Sequence, residues 1–295
     1  MLLLNLLFAE PLLPYAENAV YSRSLPLLNK IDNTLQKVPY SKSVIIGSGV
    51  VGIGYWGLKT TPITNRKKFV LLPVFLEQFI GNVVYKVTYW GVKKSLLSNN
   101  DPEYLRVSRV VNRLLLKNSD RLPKLNFTLH VINQANVNAF VLPNGKIFVY
   151  KGILKVATTD EQLAAVLGHE IGHVLGRHFA EKQTFAVIME FIVEYQRSKD
   201  DGIVKGIAEE FTKSLLNLKY SRDLEYEADI IGLHLMTAAC YDPKGAVEVW
   251  QNFANIEKFG VIEFMSTHPS NINRMQYLKT KTKDVEGWER LCAAT

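Results

Sequence analysis

The chain has few cysteines, only Cys240 and Cys292 among 295 residues. Two are too few for a scaffold held together by disulfides, and no CxxC pair offers a metal-binding or redox motif. The sequence does not decide whether the two form a single disulfide bond. We expect two free thiols.

Long hydrophobic runs are also absent. No stretch of eighteen or more apolar residues is free of charge, which argues against a protein with several membrane-spanning helices. Hydrophobic residues make up 47% of the chain and charged residues 21%, which argues against intrinsic disorder. The mean hydropathy of +0.02 is high for a purely soluble protein, so a membrane contact stays open.

The net charge is +7, with lysine and arginine spread through the chain. Such a balance fits either a well-solvated basic surface or an anionic partner, lipid or nucleic acid. No finger, basic helix or RNA-binding motif is present. We therefore expect anionic membrane lipid and no nucleic acid.

The N-terminal segment, residues 1–42, begins with an apolar run and has no basic residue before Arg23. It is a poor match to a secretory signal or a mitochondrial transit peptide. We interpret it as a targeting or matrix-facing segment. Whether it is removed in the mature protein stays open.

An uncharged run follows between Lys42 and Lys59. Its sixteen residues would span roughly 24 Å as a helix, which is short for a bilayer, although the flanking lysines could reach the interfaces. We predict one transmembrane helix over 43–61, the alternative being a buried hairpin or loop. The run also contains a GxGxxG pattern, which lacks the context of a dinucleotide site, so we predict no nucleotide cofactor.

The rest of the chain reads as a small sheet followed by a mainly helical body, an α+β fold. We interpret 62–68 as a polar linker. A capping box from Thr158 to Glu161 opens a helix that we expect to continue to about Glu181. The other predicted helices are 74–95, 102–116, 203–219, 222–239, 243–257 and 270–281, and the predicted strands are 126–132, 137–142 and 146–150, the last two joined by a turn at Pro143-Asn144-Gly145.

The stretch His169-Glu170-Ile171-Gly172-His173 is an HExxH motif on a predicted helix. Residues four apart lie on one helix face, so both imidazoles can reach one zinc ion. Glu170 would lie beside the metal, where it could take a proton from a bound water. The alternative is two solvated histidines on an ordinary helix.

A third ligand is needed, and Glu225 is the better candidate, with Asp229 one turn further on the same face. Taken alone, Glu225 fits better a solvated helix acid that, like Glu227, pairs with Arg222. Asp229 could accept a hydrogen bond from a ligating histidine. Two further histidines, His268 and His130, and the other acidic residues downstream stay open as ligands. We exclude His178 and His234, each nine residues from a candidate ligand and therefore on the opposite face of the same helix. Glycines at 168, 172 and 176 indicate that something approaches the HExxH helix closely.

Five segments within 102–281 together resemble the HtpX-like and CaaX-prenyl-protease-like family of zinc metallopeptidases, and most closely its mitochondrial inner-membrane members. The resemblance implies a zincin-like peptidase domain, which we place at 66–282 with a C-terminal tail at 283–295. The segments are Asn138–Phe140, Leu142–Gly145, Gly168–His173, Ser221–Gly232 and Ser266–Arg274.

The resemblance implies one zinc ion per chain, held by His169, His173 and Glu225, with Glu170 as general base. It assigns Asp229 either to support of a ligating histidine, which we favour, or to proton donation. For Arg274 we favour anchoring of its loop by pairing with a carboxylate over contact with substrate.

Two further roles are each open to a plainer reading. Asn138, Ala139 and Phe140 would form an edge strand on which an extended substrate lies, or simply a core strand. His268 would donate a hydrogen bond to the oxyanion, or be a structural residue of its loop.

We therefore expect a membrane-anchored zinc metalloendopeptidase of mitochondrial protein quality control. The resemblance places it in the inner membrane, with the catalytic domain in the intermembrane space, acting on membrane proteins under stress. A homo-oligomer stays open. The alternative is a non-catalytic membrane scaffold stabilised by zinc, against which the intact Glu170 argues.

Overall fold

The computed structural model describes residues 56–198, 219–257 and 272–285. It also describes the single residues 264, 268, 287, 288 and 292. The predicted helix at 203–219 lies almost wholly outside these residues. The helices are α1 (Val74–Val92), α2 (Pro102–Lys117), α3 (Asp160–Leu175), α4 (His178–Ser198), α5 (Lys219–Ala238), α6 (Lys244–Glu257) and α7 (Ile272–Lys281), and the strands are β1 (Leu58–Thr60), β2 (Lys67–Phe69), β3 (Thr128–Ile132), β4 (Ala139–Val141) and β5 (Lys146–Tyr150).

The predicted α+β plan is confirmed. In the main sheet β5 is central, parallel to β3 and antiparallel to β4. The predicted turn joins β4 to β5, with Gly145 at φ +84°, a conformation that favours glycine. On the described residues β4 is an edge strand, and it packs against α3.

The glycines of α3 allow very close packing against α5. A Cβ atom at Gly168 would lie 3.0 Å from the Gly232 carbonyl oxygen, and one at Gly172 would lie 2.9 Å from the Ala228 carbonyl oxygen. Gly232 faces back, since its Cβ would lie 2.7 Å from the His169 amide nitrogen. The predicted close approach is therefore to α5.

Both ends of α3 differ from the prediction. Its capping box is formed by Thr159 and Gln162, one residue later than predicted. The helix ends at Leu175 rather than near Glu181, because Arg177 has φ +49° and breaks it. Arg177 is held there by hydrogen bonds to the Glu77 carboxylate (2.9 Å) and to the Leu72 carbonyl oxygen (2.8 Å).

The predicted polar linker is wrong. Residues 61–66 form the turn of the β1–β2 hairpin, and Lys68 in β2 is buried, donating to the Gly176 carbonyl oxygen. Of the predicted transmembrane helix, residues 43–55 lie outside the described residues and residues 58–60 form β1. Among the residues that the structure describes, every helix is too short or too polar to cross a bilayer.

The expectation of free thiols is also wrong, because Cys240 and Cys292 form a disulfide bond. Helix α5 ends at Ala238, and Cys240 follows with φ +60° in a tight turn. The bond ties Cys292, near the C-terminus, to this end of α5. Sequence spacing cannot reveal such a pair, since 52 positions separate its members.

Candidate metal centre

Four side chains converge between α3 and α5. One possible ligand atom each from His169, His173, Glu225 and His268 lies within 4.8 Å of the others. Nε2 of His169 is 3.1 Å from Nε2 of His173 and 3.3 Å from a Glu225 oxygen. The two histidines stand one turn apart on α3, as their spacing predicts, and Glu225 faces them from α5, as the family resemblance implies.

The donor set fits a metal ion. Glu225 is fully buried, and its Oε1 has no hydrogen-bond partner among the described residues although it lies 3.5 Å from His173 Nε2. A buried carboxylate is costly unless it is paired or coordinates a metal. Burial would raise the pKa of Glu225, but the surrounding histidines hold it well below its usual value, so the carboxylate is ionised. Two imidazoles and one carboxylate are ligands that zinc accepts.

Asp229 lies behind His169 rather than in the open part of the site. Its Oδ1 is 2.9 Å from His169 Nδ1, and Arg274 donates to both of its oxygens at 2.8 Å. Burial would raise the pKa of Asp229, but the charge and hydrogen bonds of Arg274 and His169 lower it. The ionised carboxylate therefore accepts the Nδ1 proton and leaves His169 Nε2 facing the cluster. Arg274 pairs with a carboxylate, as the sequence predicts.

The second ligand candidate, His173, is held by a chain of side chains that spacing does not reveal. His173 Nδ1 lies 2.7 Å from His178 Nδ1, and His178 Nε2 lies 2.9 Å from Glu227 Oε2. Arg66 donates to Glu227 at 2.8 Å and makes two bonds to Glu181, at 2.8 and 2.6 Å.

The positions of the protons along this series of hydrogen bonds follow from the carboxylate of Glu227 at its end. Burial would raise the pKa of Glu227, but its bonds to His178, Arg66 and Thr64 lower it to about 2. The carboxylate must therefore accept, so His178 Nε2 donates and its Nδ1 carries a lone pair. That lone pair accepts the Nδ1 proton of His173, whose Nε2 is left free to ligate. Burial lowers the pKa of both histidines, which favours these neutral forms.

The exclusion of His178 assumed that it lies on the same helix as His169, and this assumption is wrong. His178 does not continue α3, because the break at Gly176 and Arg177 turns the chain and starts α4. His178 lies beside His173 instead of on the opposite face. His234 does lie elsewhere, half-buried on α5, and His130 packs against the rings of Tyr85 and Phe148.

Glu170 is buried next to the cluster, and burial raises its pKa. It also accepts a hydrogen bond from the backbone of Val141, the last residue of β4. The carboxylate therefore stands between the ligand cluster and the strand proposed for substrate.

His268 reaches the same space from outside α3 and α5. Its Nδ1 is 3.0 Å from Glu225 Oε2, and its Nε2 is 3.3 Å from Glu170 Oε1. Its ring packs against Phe264, with the centroids 4.8 Å apart. The structure brings His268 into the site. There it is close enough either to ligate a metal ion or to donate a hydrogen bond.

The segment with the proposed substrate-binding residues has features of a core strand and of an edge strand, the two alternatives that the sequence left open. Asn138 and Ala139 are buried, as in a core strand, while β4 forms an edge of the main sheet on the described residues. Phe140 stacks on Phe148 of β5, with ring centroids 5.1 Å apart. Substrate binding along β4 stays a prediction.

An HExxH helix facing a glutamate from a second helix, with an ionised acid behind one histidine, defines a metallopeptidase site. Comparison with known proteins agrees, because the model of peptidase family M48 matches residues 103–282. The chain therefore belongs to peptidase family M48 and is a metallopeptidase.

Relatives named mitochondrial metalloendopeptidase OMA1 are similar over most of the chain. The one from Schizosaccharomyces pombe is 35% identical over 243 residues, 80% of this chain and 69% of the relative. The human one is 33% identical over 236 residues, 75% of this chain but only 45% of the relative. The metalloprotease YcaL of Escherichia coli is 30% identical over 159 residues, 50% of this chain and 59% of the relative. The chain thus spans less than half of the human relative.

Proposed function

We propose that this metallopeptidase uses zinc and cleaves proteins at the mitochondrial inner membrane. The observation that carries the metal is the buried, ionised Glu225 facing the Nε2 atoms of His169 and His173. The hydrogen bonds behind the two histidines turn both Nε2 atoms toward that carboxylate. Zinc suits a set of two imidazoles and one carboxylate that leaves a further position open.

Bound zinc would supply a Lewis acid and lower the pKa of a water molecule toward 7. Glu170 would take the proton of that water and return it to the leaving amine. Its burial and raised pKa suit this exchange, since a base with a pKa nearer neutrality can also release the proton. His268 would donate a hydrogen bond to the oxyanion from its place 3.3 Å from Glu170.

The substrate would be a protein chain bound in extended form along β4. An edge strand offers backbone donors and acceptors for a further strand. The hydrogen bond between Glu170 and Val141 supports this, since the proposed general base then lies at the end of that edge. A substrate held by its backbone can extend on both sides of the cleaved bond, which fits an endopeptidase.

The location is proposed from the relatives named mitochondrial and from a disulfide bond in this chain. The Cys240–Cys292 disulfide fits an oxidising compartment, which supports the intermembrane-space side. A single span over 43–61 would anchor the chain, with membrane proteins as substrates in protein quality control.

Cleavage of an unfolded protein such as casein tests the proposal, with zinc content measured on the same full-length samples. We expect Glu170→Gln to keep zinc and lose cleavage, because it removes the base but no ligand. His234→Gln, outside the site, should keep both. Cleavage at the normal rate by Glu170→Gln, or an active wild type free of zinc, would overturn the proposal.

A further inference from the structure

Helix α1 turns a row of large apolar side chains away from the part of the domain that the structure describes. Phe75, Phe79, Val87 and Trp90 are 72%, 51%, 65% and 67% exposed. At 100° per residue they lie within an arc of about 120°. We call these four residues the α1 stripe.

The other side of α1 is buried against the domain. Ile80 is 1% exposed and packs in a small core with Val70, Leu72 and Ala180. The stripe is therefore an additional apolar face and not the packing face of the helix. Large apolar side chains exposed on one face of a helix in this way mark interaction sites.

The charges around the stripe have one sign. Between residues 74 and 100, which cover α1 and the chain just beyond it, the sequence has three lysines and one acid, Glu77. Glu77 is buried in an ion pair with Arg177, whereas Lys86, Lys93 and Lys94 are exposed along and beyond the stripe. Lys93 Nζ lies 3.4 Å from the centroid of the Trp90 ring.

We infer that the α1 stripe is a docking surface for an anionic lipid bilayer. Aromatic residues with neighbouring lysines are the composition that binds at the boundary between headgroups and acyl chains. A second copy of the chain fits less well, since a symmetric pairing of the stripe would bring the same lysines together. Cores of protein interfaces are also poor in lysine.

The position of α1 gives the lipid contact a consequence that rests on the proposed function. Glu77, on the buried side of α1, bonds to Arg177 immediately after the HExxH helix. A Cβ atom at Gly81 would lie 2.9 Å from the Asn144 amide nitrogen in the turn after β4. A bilayer bound to α1 would thus hold the active site and its edge strand close to the membrane.

Spin labels test the lipid contact independently of any membrane anchor. The full chain carries a label at Phe79→Cys or, as the matched control, at Leu116→Cys, an exposed apolar position on α2. The native cysteines are paired, and labelling of the unsubstituted chain checks this. Each protein is measured in buffer and on phosphatidylcholine vesicles with and without phosphatidylglycerol, using collisions with oxygen and with a water-soluble nickel complex.

We expect the label at 79 to gain oxygen contact and lose nickel contact on vesicles with phosphatidylglycerol, while the label at 116 stays open to nickel. A label at 79 that stays open to nickel on bound protein would overturn the inference. So would protection from both reagents, which indicates a protein partner or a second copy. None of these results depends on zinc or on cleavage, so the proposed function stands or falls separately.

Discussion

His178 lies between His173 and Glu227, 2.7 Å from the one and 2.9 Å from the other. It fixes the orientation of a ligand candidate without itself facing the cluster. Through Glu227 the same series of hydrogen bonds reaches Arg66 in the turn of the β1–β2 hairpin. The hairpin is thereby tied to the metal site.

Removing His178 should weaken metal binding. His178→Ala leaves His173 Nδ1 without its acceptor, and loss of such a supporting bond typically costs about 10- to 100-fold in metal affinity. Competition with a chelator measures this on the folded protein. His234→Ala, a half-buried histidine on α5 outside the site, is the control and should bind zinc as the wild type does. Equal affinity in both variants would show that His178 does not position His173.

The contact of α3 with α5 should tolerate no added methyl group. Gly232→Ala would place a Cβ atom 2.7 Å from the His169 amide nitrogen, and overpacking of this kind costs about 1–3 kcal/mol in unfolding free energy. Gly91→Ala on α1 is the control, since nothing lies within 4 Å of its Cβ and the helix should gain up to about 1 kcal/mol. Urea unfolding compares the two, and equal stability would contradict the packing described.

Stability should fall in acid partly through Glu227. Its pKa is lowered from 4.5 to about 2 on folding, so the unfolded chain binds the proton more readily. The stabilisation is present above the unfolded pKa and is lost as pH falls through the folded one. Glu227→Gln should therefore be less stable than wild type near neutrality, with the gap closing from about pH 5 towards about pH 2. An unchanged gap across this range would show that the carboxylate is not the source.

Reduction of the Cys240–Cys292 bond should lower the free energy of unfolding by about 2–4 kcal/mol, because it releases a loop that the bond closes. Unfolding with and without reductant measures the loss. Cys292→Ser should match the reduced wild type and should not respond to reductant. A wild type indifferent to reductant would argue against a bond in solution.

Local patterns predicted most of the fold. Apolar periodicity placed α1, α2 and β5 to within a few residues, and the four-residue spacing of HExxH brought His169 and His173 together. These features depend on residues close in sequence. Spacing alone also fits a solvated acid at Glu225, so its proposal as a ligand depended on the family resemblance.

Features set by distant contacts could not be predicted. The end of α3 depends on Arg177 bonding to Glu77 and Leu72, a hundred residues earlier, and in an unbroken helix His178 would face away from the site. Arg66, in an apparent polar linker, bonds to Glu227 and so belongs to the support of the site. Only the folded chain reveals such partners.

The most direct test of the central claim is the zinc content of purified full-length protein, wild type beside Glu225→Ala. The account predicts about one zinc per chain in the wild type, held by His169, His173 and Glu225, and its loss in the folded variant. Zinc retained by Glu225→Ala, or absent from a folded and active wild type, would contradict it.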